Sequence, residues 1–362
     1  MRMPRSAVAA LAAAAVVALG GCVLLPPPAL PTAAPDPAPT GATPVPQPTR
    51  GTDPGADDDV VPVEPDAPVS DVDTTDLDTG LLYAGYPPVT DDGFLPDAAV
   101  DVVLEPTAGT PVVAEGIALP TSDAGDELLP GAPHVGSGNL LLTTTGRLEL
   151  ESGSEAYTCS GTVINSTTGL VVITAAHCIF DDDTRDYYDR IRFSPAYERG
   201  ASPLGVWEAD EWWVPQQYLE ANERWLDGAD DDGWMGFDVG FVRFAPQDGR
   251  TLEDIAGGQG VSFTAETNGV VIAGYPGNDD FDAEVLRHCA DDELDYGAGG
   301  DANYGAACDM GDGASGSGFV SNLDPATGAG HITAVYSNGG GSGAYGPPLG
   351  VTAWNGLQRV DR

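Results

Sequence analysis

An all-β fold, a barrel or sandwich of short strands, is what the sequence predicts for residues 136–362. Three observations predict it. From about residue 136, short apolar runs recur between Gly, Asn and Asp turns. Convincing helical patterns are few. Prolines concentrate in the first third, whereas all six Trp lie after residue 200, so one folded region behind a long leader fits better than two equal domains.

The leader begins as an export signal. Arg2 and Arg5 precede an apolar Ala/Val/Leu run over residues 7–19, which ends in Leu19-Gly20-Gly21-Cys22. A basic start, a short apolar core and small residues before a cut describe a secretory signal peptide over residues 1–21. Its ending resembles the bacterial lipoprotein box, which implies cleavage before Cys22 and lipidation of that sulfur. An ordinary signal or an uncleaved anchor are the alternatives, since the apolar stretch reaches Leu25. Its Ala/Gly content and the prolines at Pro26, Pro27 and Pro28 argue against an anchor.

Residues 22–80 are rich in Pro, Ala, Thr and Asp and nearly devoid of aromatics. Such a segment buries too little apolar surface to offset its ordering entropy and reads as a disordered linker. Residues 81–135 are more mixed and read as a pro-segment or a strand-bearing extension. Beyond them, residues 158–165, 170–174, 191–194, 239–244, 270–274 and 331–337 read as strands, and residues 216–226 as the best helix.

The net charge is −42, and all 14 basic residues are Arg. So acidic a chain is not drawn electrostatically to nucleic-acid phosphates or anionic membranes. The Asp clusters at 57–59, 181–183, 230–232 and 291–292 read as solvated surface in preference to calcium sites. Around Asp230, Asp232 and Gly233 the position for a first calcium ligand is Gly228, so the EF-hand pattern fails. Five cysteines are an odd number for an exported protein, but lipidation of Cys22 leaves Cys159, Cys178, Cys289 and Cys308. Three pairings are open; joining sequence neighbours, 159 with 178 and 289 with 308, is the economical one. No zinc spacing is present, and no metal or organic cofactor is called for.

Of the four His, His134 lies among Pro and Gly, and His288 and His331 read as structural or exposed. His177 closes an apolar strand in Thr174-Ala175-Ala176-His177-Cys178. That run resembles the histidine signature of the trypsin-like serine proteases. Upstream, Cys159-Ser160-Gly161-Thr162-Val163 is similar to the strand whose Cys bridges to the Cys after that His. Downstream, Gly311-Asp312-Gly313-Ala314-Ser315-Gly316 resembles the nucleophile loop. Gly146-Arg147-Leu148 and Tyr345-Gly346-Pro347 are also similar to the secreted bacterial branch that includes the glutamyl endopeptidases. Over residues 136–362 the resemblance implies two six-stranded antiparallel β-barrels.

It also implies a mechanism, and residue chemistry agrees. A Ser hydroxyl is a weak nucleophile that needs a base beside it, so Ser315 pairs with His177. Ser317 is a weaker candidate, because Ser315 stands where the motif has Gly. Asp238, one carboxylate within the apolar run Gly236-Phe237-Asp238-Val239-Gly240-Phe241-Val242, would be costly to bury without a partner. It fits the third member better than Asp186 or Asp189, whose surroundings are polar. The N–H groups of Gly313 and Ser315 would form the oxyanion hole.

Two departures stand out. Ala314 occupies the place where many of these enzymes carry an Asp that binds a new N-terminus, so activation by that ion pair is not expected; a cut near Val135-Gly136 stays open. Gly318 replaces the usual Pro. For substrate binding, Ser337 and Gly339 frame the strand that would pair with substrate backbone. Asp309, six residues before Ser315, stands where a pocket carboxylate selects Arg or Lys.

The resulting expectation is an exported monomeric serine endopeptidase. It acts on proteins or peptides and touches a membrane only through Cys22, as a cell-surface lipoprotein or a secreted enzyme. A catalytically inactive binding protein on the same fold, or an esterase with the same triad, are the rivals.

Overall fold

The structure is a computed structural model. It describes residues 98–113, 118–120, 138–228, 233–264, 268–277, 281–292, 294–296, 303–308, 310–340 and 343–362. The signal segment with Cys22, the linker, Asp57 to Asp59, His134, Asp230 to Asp232 and Asp309 lie outside these residues.

In chain order the strands are β1 (Val103–Leu104), β2 (Thr145–Ser152), β3 (Glu155–Val163), β4 (Val171–Thr174), β5 (Phe180–Asp181), β6 (Asp186–Tyr187), β7 (Arg190–Pro195), β8 (Trp207–Trp213) and β9 (Gly240–Phe244). They continue as β10 (Gly260–Ser262), β11 (Val270–Gly274), β12 (Arg287–Asp291), β13 (Asp295–Tyr296), β14 (Tyr304–Ala306), β15 (Gly318–Ser321), β16 (His331–Val335), β17 (Asn338–Gly340) and β18 (Gly343–Gly346). Among the described residues four α-helices accompany them: α1 (Leu140–Thr144), α2 (Gln216–Leu226), α3 (Leu252–Ala256) and α4 (Val351–Val360).

Strands β2-β3-β4-β9-β8-β7 close into an antiparallel barrel. Period-two alternation explains its inner face. Leu148 and Leu150 of β2 are buried, whereas Arg147, Glu149 and Glu151 between them remain partly exposed. Arg192 on β7 reaches Glu149 at 3.1 Å and Glu151 at 2.8 Å, which fixes the register of the outer face. The second half of the fold is a six-stranded sheet in the order β1-β10-β16-β15-β11-β12, with a four-stranded β13-β14-β18-β17 sheet beside it. All its neighbours run antiparallel except β10 and β16, which are parallel.

The two halves share strands β4 and β9 through opposite faces. Val172 and Val242 belong to the core inside the barrel, while Val171, Ile173 and Phe241 point into the core of the second sheet. Ala353, Leu357 and Val360 of α4 complete that second core, and Trp354 packs on Phe263 at 5.4 Å between ring centroids. Each fully buried Leu, Ile, Val or Phe contributes about 1.5–3 kcal/mol, so these two cores and a third cluster around Ile272, Phe319 and Tyr336 together stabilise the fold.

Residues 98–113 lie against both halves. β1 pairs with β10; Val100 N–H donates to Phe263 O, and Thr107 and Gly258 exchange backbone hydrogen bonds of 2.8 and 2.9 Å. Val100, Val102 and Leu104 pack on the second core, and Val113 and Leu119 pack on the barrel core. Gly109 approaches so closely that a Cβ there would lie 2.2 Å from Gly257 N.

Candidate active site

Strand β4 carries the chain into Ala175 and a single 3-10 turn, Ala176–Cys178. That turn holds His177 at the barrel rim, its side chain 24% exposed. The disulfide between Cys159 on β3 and Cys178 ties the turn to the neighbouring strand, with Cα atoms 6.1 Å apart. The second disulfide joins Cys289 to Cys308 at 5.9 Å. Both join sequence neighbours.

Asp238, fully buried, sits just before β9, the strand paired with β4. Its Oδ1 accepts a 3.0 Å hydrogen bond from His177 N–H, and its Oδ2 lies 2.7 Å from His177 Nδ1. Ser337 Oγ donates to the same Oδ2 at 2.6 Å. Three donors surround the carboxylate, which is what its burial demands. Asp186 and Asp189 are elsewhere: Asp186 accepts from Tyr187 N, and Asp189 caps Gly153 N at 2.8 Å.

A second carboxylate stands near. Asp182, on the turn joining β5 to β6, accepts hydrogen bonds from Tyr218 Oη at 3.3 Å and from Asn222 Nδ2, both on α2. Burial pushes its carboxyl above the ordinary value, against the pull of Asn222 and of the His177 charge. For His177, burial disfavours the cation. Asp238 outweighs it by charge and hydrogen bond, helped by the charge of Asp182, and the imidazole is held above its ordinary 6.5.

The loop from Met310 to Ser317 meets this strand end. Ser315 is half-buried, and its carbonyl accepts from Ser160 N–H at 2.8 Å. Gly316 has φ +84° and so little room that a Cβ would lie 2.0 Å from Thr174 Oγ1 and 3.0 Å from Ala175 N. Only glycine fits there, and the contact sets the residue after Ser315 against the two residues that lead to His177. Ser317 is fully buried, with its Oγ unpartnered among the described residues, so it is shielded from any substrate.

Neither Gly313 N–H nor Ser315 N–H donates to a described group. Their orientation follows from the opposite edges of their peptides. Asp312 O accepts from Gly277 N–H at 2.6 Å and Ala314 O accepts from Ser317 N–H at 3.0 Å. In a trans peptide the N–H then points the other way.

The stretch expected to pair with substrate resolves into parts: Ser337 gives its hydroxyl to Asp238 and its N–H to Tyr345 O at 2.8 Å, while Asn338–Gly340 forms the edge strand β17, which carries Gly339. Cys159, His177 and Cys178 place ligand-type atoms within 4.8 Å of one another, but the two sulfurs are bonded to each other. Among the described acidic groups, Asp181 is occupied by Ser152 Oγ and Asp183 N–H, and Asp291 by Ala307 N–H. No role for Ser160, Asp182 or Tyr336 is legible in the sequence: Ser160 stands in the run 159–163 read for its cysteine, Asp182 in an Asp cluster read as solvated surface, and Tyr336 in a run read only as a strand.

No protein-family model matches the chain, and no curated protein matches it by sequence. Solved structures do. The protease Anisep from Arthrobacter nicotinovorans is 26% identical with a TM-score of 0.54, over 61% of this chain and 96% of that one. A thermostable serine protease, AL20, from an extremophilic microorganism is 21% identical with a TM-score of 0.53, over 61% of this chain and 98% of that one. A Glu endopeptidase stands at 16% identity and a TM-score of 0.47, too distant to argue for that branch. The closed barrel, the second six-stranded sheet and these neighbours together identify the fold as that of the trypsin-like serine proteases.

Proposed function

We propose that this protein is an exported serine endopeptidase that hydrolyses peptide bonds through an acyl-enzyme intermediate. The observation that carries the reading is the geometry at His177. With Nδ1 2.7 Å from a fully buried Asp238 carboxylate, Nε2 is left as the basic nitrogen. Ser315 Oγ attacks the scissile carbonyl while His177 takes its proton. The N–H groups of Gly313 and Ser315 receive the oxyanion, a donor of this kind lowering the barrier by about 3–4 kcal/mol. His177 then protonates the departing amine, and a water repeats the sequence to release the acid. Asp238 holds the imidazole in the right tautomer and stabilises its cation.

The edge strand β17, with Gly339 at its middle and Ser337 just before it, is the place for an extended substrate to add as a further strand. Asp309 is assigned as the pocket carboxylate, which predicts cleavage after Arg or Lys; a preference for acidic or aromatic residues in peptide-library profiling would overturn that assignment. Residues 1–21 are assigned to export, Cys22 to lipidation, residues 22–80 to a linker, 81–135 to a pro-segment or extension and 136–362 to the protease domain. N-terminal sequencing with the mass of the mature protein tests processing and lipidation together.

The function is tested by Ser315→Ala, which should abolish casein hydrolysis and fluorophosphonate labelling. Full retention of both overturns the reading. A folded wild-type protein that neither hydrolyses nor labels is the inactive binding protein instead.

A further inference from the structure

We propose that Ser160 is a positioning residue that sets the oxyanion loop from the barrel side. The inference rests on the protease reading and adds a residue to it. Ser160 lies on β3, beside the disulfide cysteine Cys159, and is fully buried. Every polar atom it has is engaged. Its Oγ donates to Gly313 O at 2.9 Å and accepts from Tyr275 N–H at 2.8 Å. Its N–H donates to Ser315 O at 2.8 Å, and its carbonyl accepts from Thr174 Oγ1 at 2.8 Å.

One side chain and its backbone therefore join three pieces that lie far apart in sequence. These are the loop bearing Ser315, the strand end leading to His177, and the end of β11. The peptide whose carbonyl Ser160 grips, Gly313–Ala314, lies between the two peptides that supply the oxyanion donors. Fixing that middle plane limits rotation of both neighbours, because adjacent peptide planes share the soft torsions of one residue. Further neutral restraints on the loop are Asp312 O on Gly277 N–H, Gly311 N–H on Tyr336 Oη at 3.2 Å, and Gly316 N–H on Tyr336 O at 2.7 Å. With Ala at position 314 there is no carboxylate beside the nucleophile to anchor the loop. The anchoring is done by buried hydrogen bonds, with Ser160 at their centre.

Such a role predicts a loss in turnover, not in substrate affinity. In the full chain, Ser160→Ala should lower kcat by about 10- to 100-fold with KM changed less than about 2-fold. Affinity for a peptidyl boronate, which mimics the tetrahedral intermediate, should fall in parallel with kcat/KM. Rates are counted per site titrated with a fluorophosphonate, so a partly folded preparation still reports. Ser160→Thr, which keeps the hydroxyl, should retain kcat within about 3-fold of wild type, well short of the Ala loss. Ser321→Ala, a buried hydroxyl on Thr333 Oγ1 at 3.2 Å that does not touch the loop, should leave kcat per site unchanged. The proposal is overturned if Ser160→Ala turns over like wild type per titrated site, or if Ser160→Thr loses as much as Ser160→Ala. A wild-type protein that does not label at all overturns the protease reading instead, and the role of Ser160 with it.

Discussion

Ser337 Oγ and Asp238 Oδ2 are 2.6 Å apart, and that carboxylate oxygen is the one that also faces His177 Nδ1. Asp238 is thus held by donors from both halves of the fold, the barrel through His177 and the second sheet through Ser337.

Two substitutions separate these contacts. Asp238→Asn keeps the shape but replaces an acceptor with an amide that favours the wrong His177 tautomer; kcat should fall by about 10⁴ with the fold intact. Ser337→Ala removes one hydrogen bond to a buried charge and should cost about 1.5–3 kcal/mol of stability by denaturant unfolding, with a much smaller loss of kcat. Equal kinetic losses from the two would contradict this division.

The raised His177 value sets the pH dependence. The base must be neutral to accept the proton, so kcat/KM should fall as pH drops through the His177 value, with a midpoint above 6.5. Asp182 contributes charge to that shift, so Asp182→Asn should move the midpoint to lower pH. The linkage to folding has the opposite sense. A raised His177 value stabilises the native state fully below about 6.5, and that contribution is lost as pH rises through the folded value. Rate profiles and unfolding curves across the same pH range check both signs.

The docked segment offers a third test. At Gly109 a Cβ would meet the backbone of residues 255–257, with Gly257 N at 2.2 Å, Ala256 C at 2.6 Å and Ile255 O at 2.8 Å. Gly109→Ala should therefore cost about 1–3 kcal/mol, as overpacking does, and expose residues 98–113 to limited proteolysis. Unchanged melting and protection would mean that this segment contributes nothing to the fold.

The strands with continuous apolar runs were legible in the sequence: β4, β9, β11 and β16 fall within a residue or two of where those runs place them. Helix α2 falls at residues 216–226, where the sequence put it. Strand β2 is not evident from apolar runs, although Leu148 and Leu150 alternate with charge, because Arg and Glu interrupt the apolar run on a strand of which one face is solvated. Helix α4 was missed because Val351, Thr352 and Gly356 are weak helix formers; its stability comes from Ala353, Leu357 and Val360 packing on the second core.

By itself, then, the sequence indicated the all-β class, proposed His177, Asp238 and Ser315 in that order, and left the neighbour pairing of four cysteines as the economical one of three, because strand patterning and motifs are local properties of the chain. The tertiary structure alone decided that Ser337 binds Asp238 across 99 residues, that Ser160 grips Gly313 across 153, and that residues 98–113 line both cores. The first two contacts are hydrogen bonds to a shared carboxylate oxygen and a backbone carbonyl, and the third is apolar packing. Their partners are chosen by where strands bring peptide planes together, and a common Ser, Thr or Gly carries no mark of it in the chain.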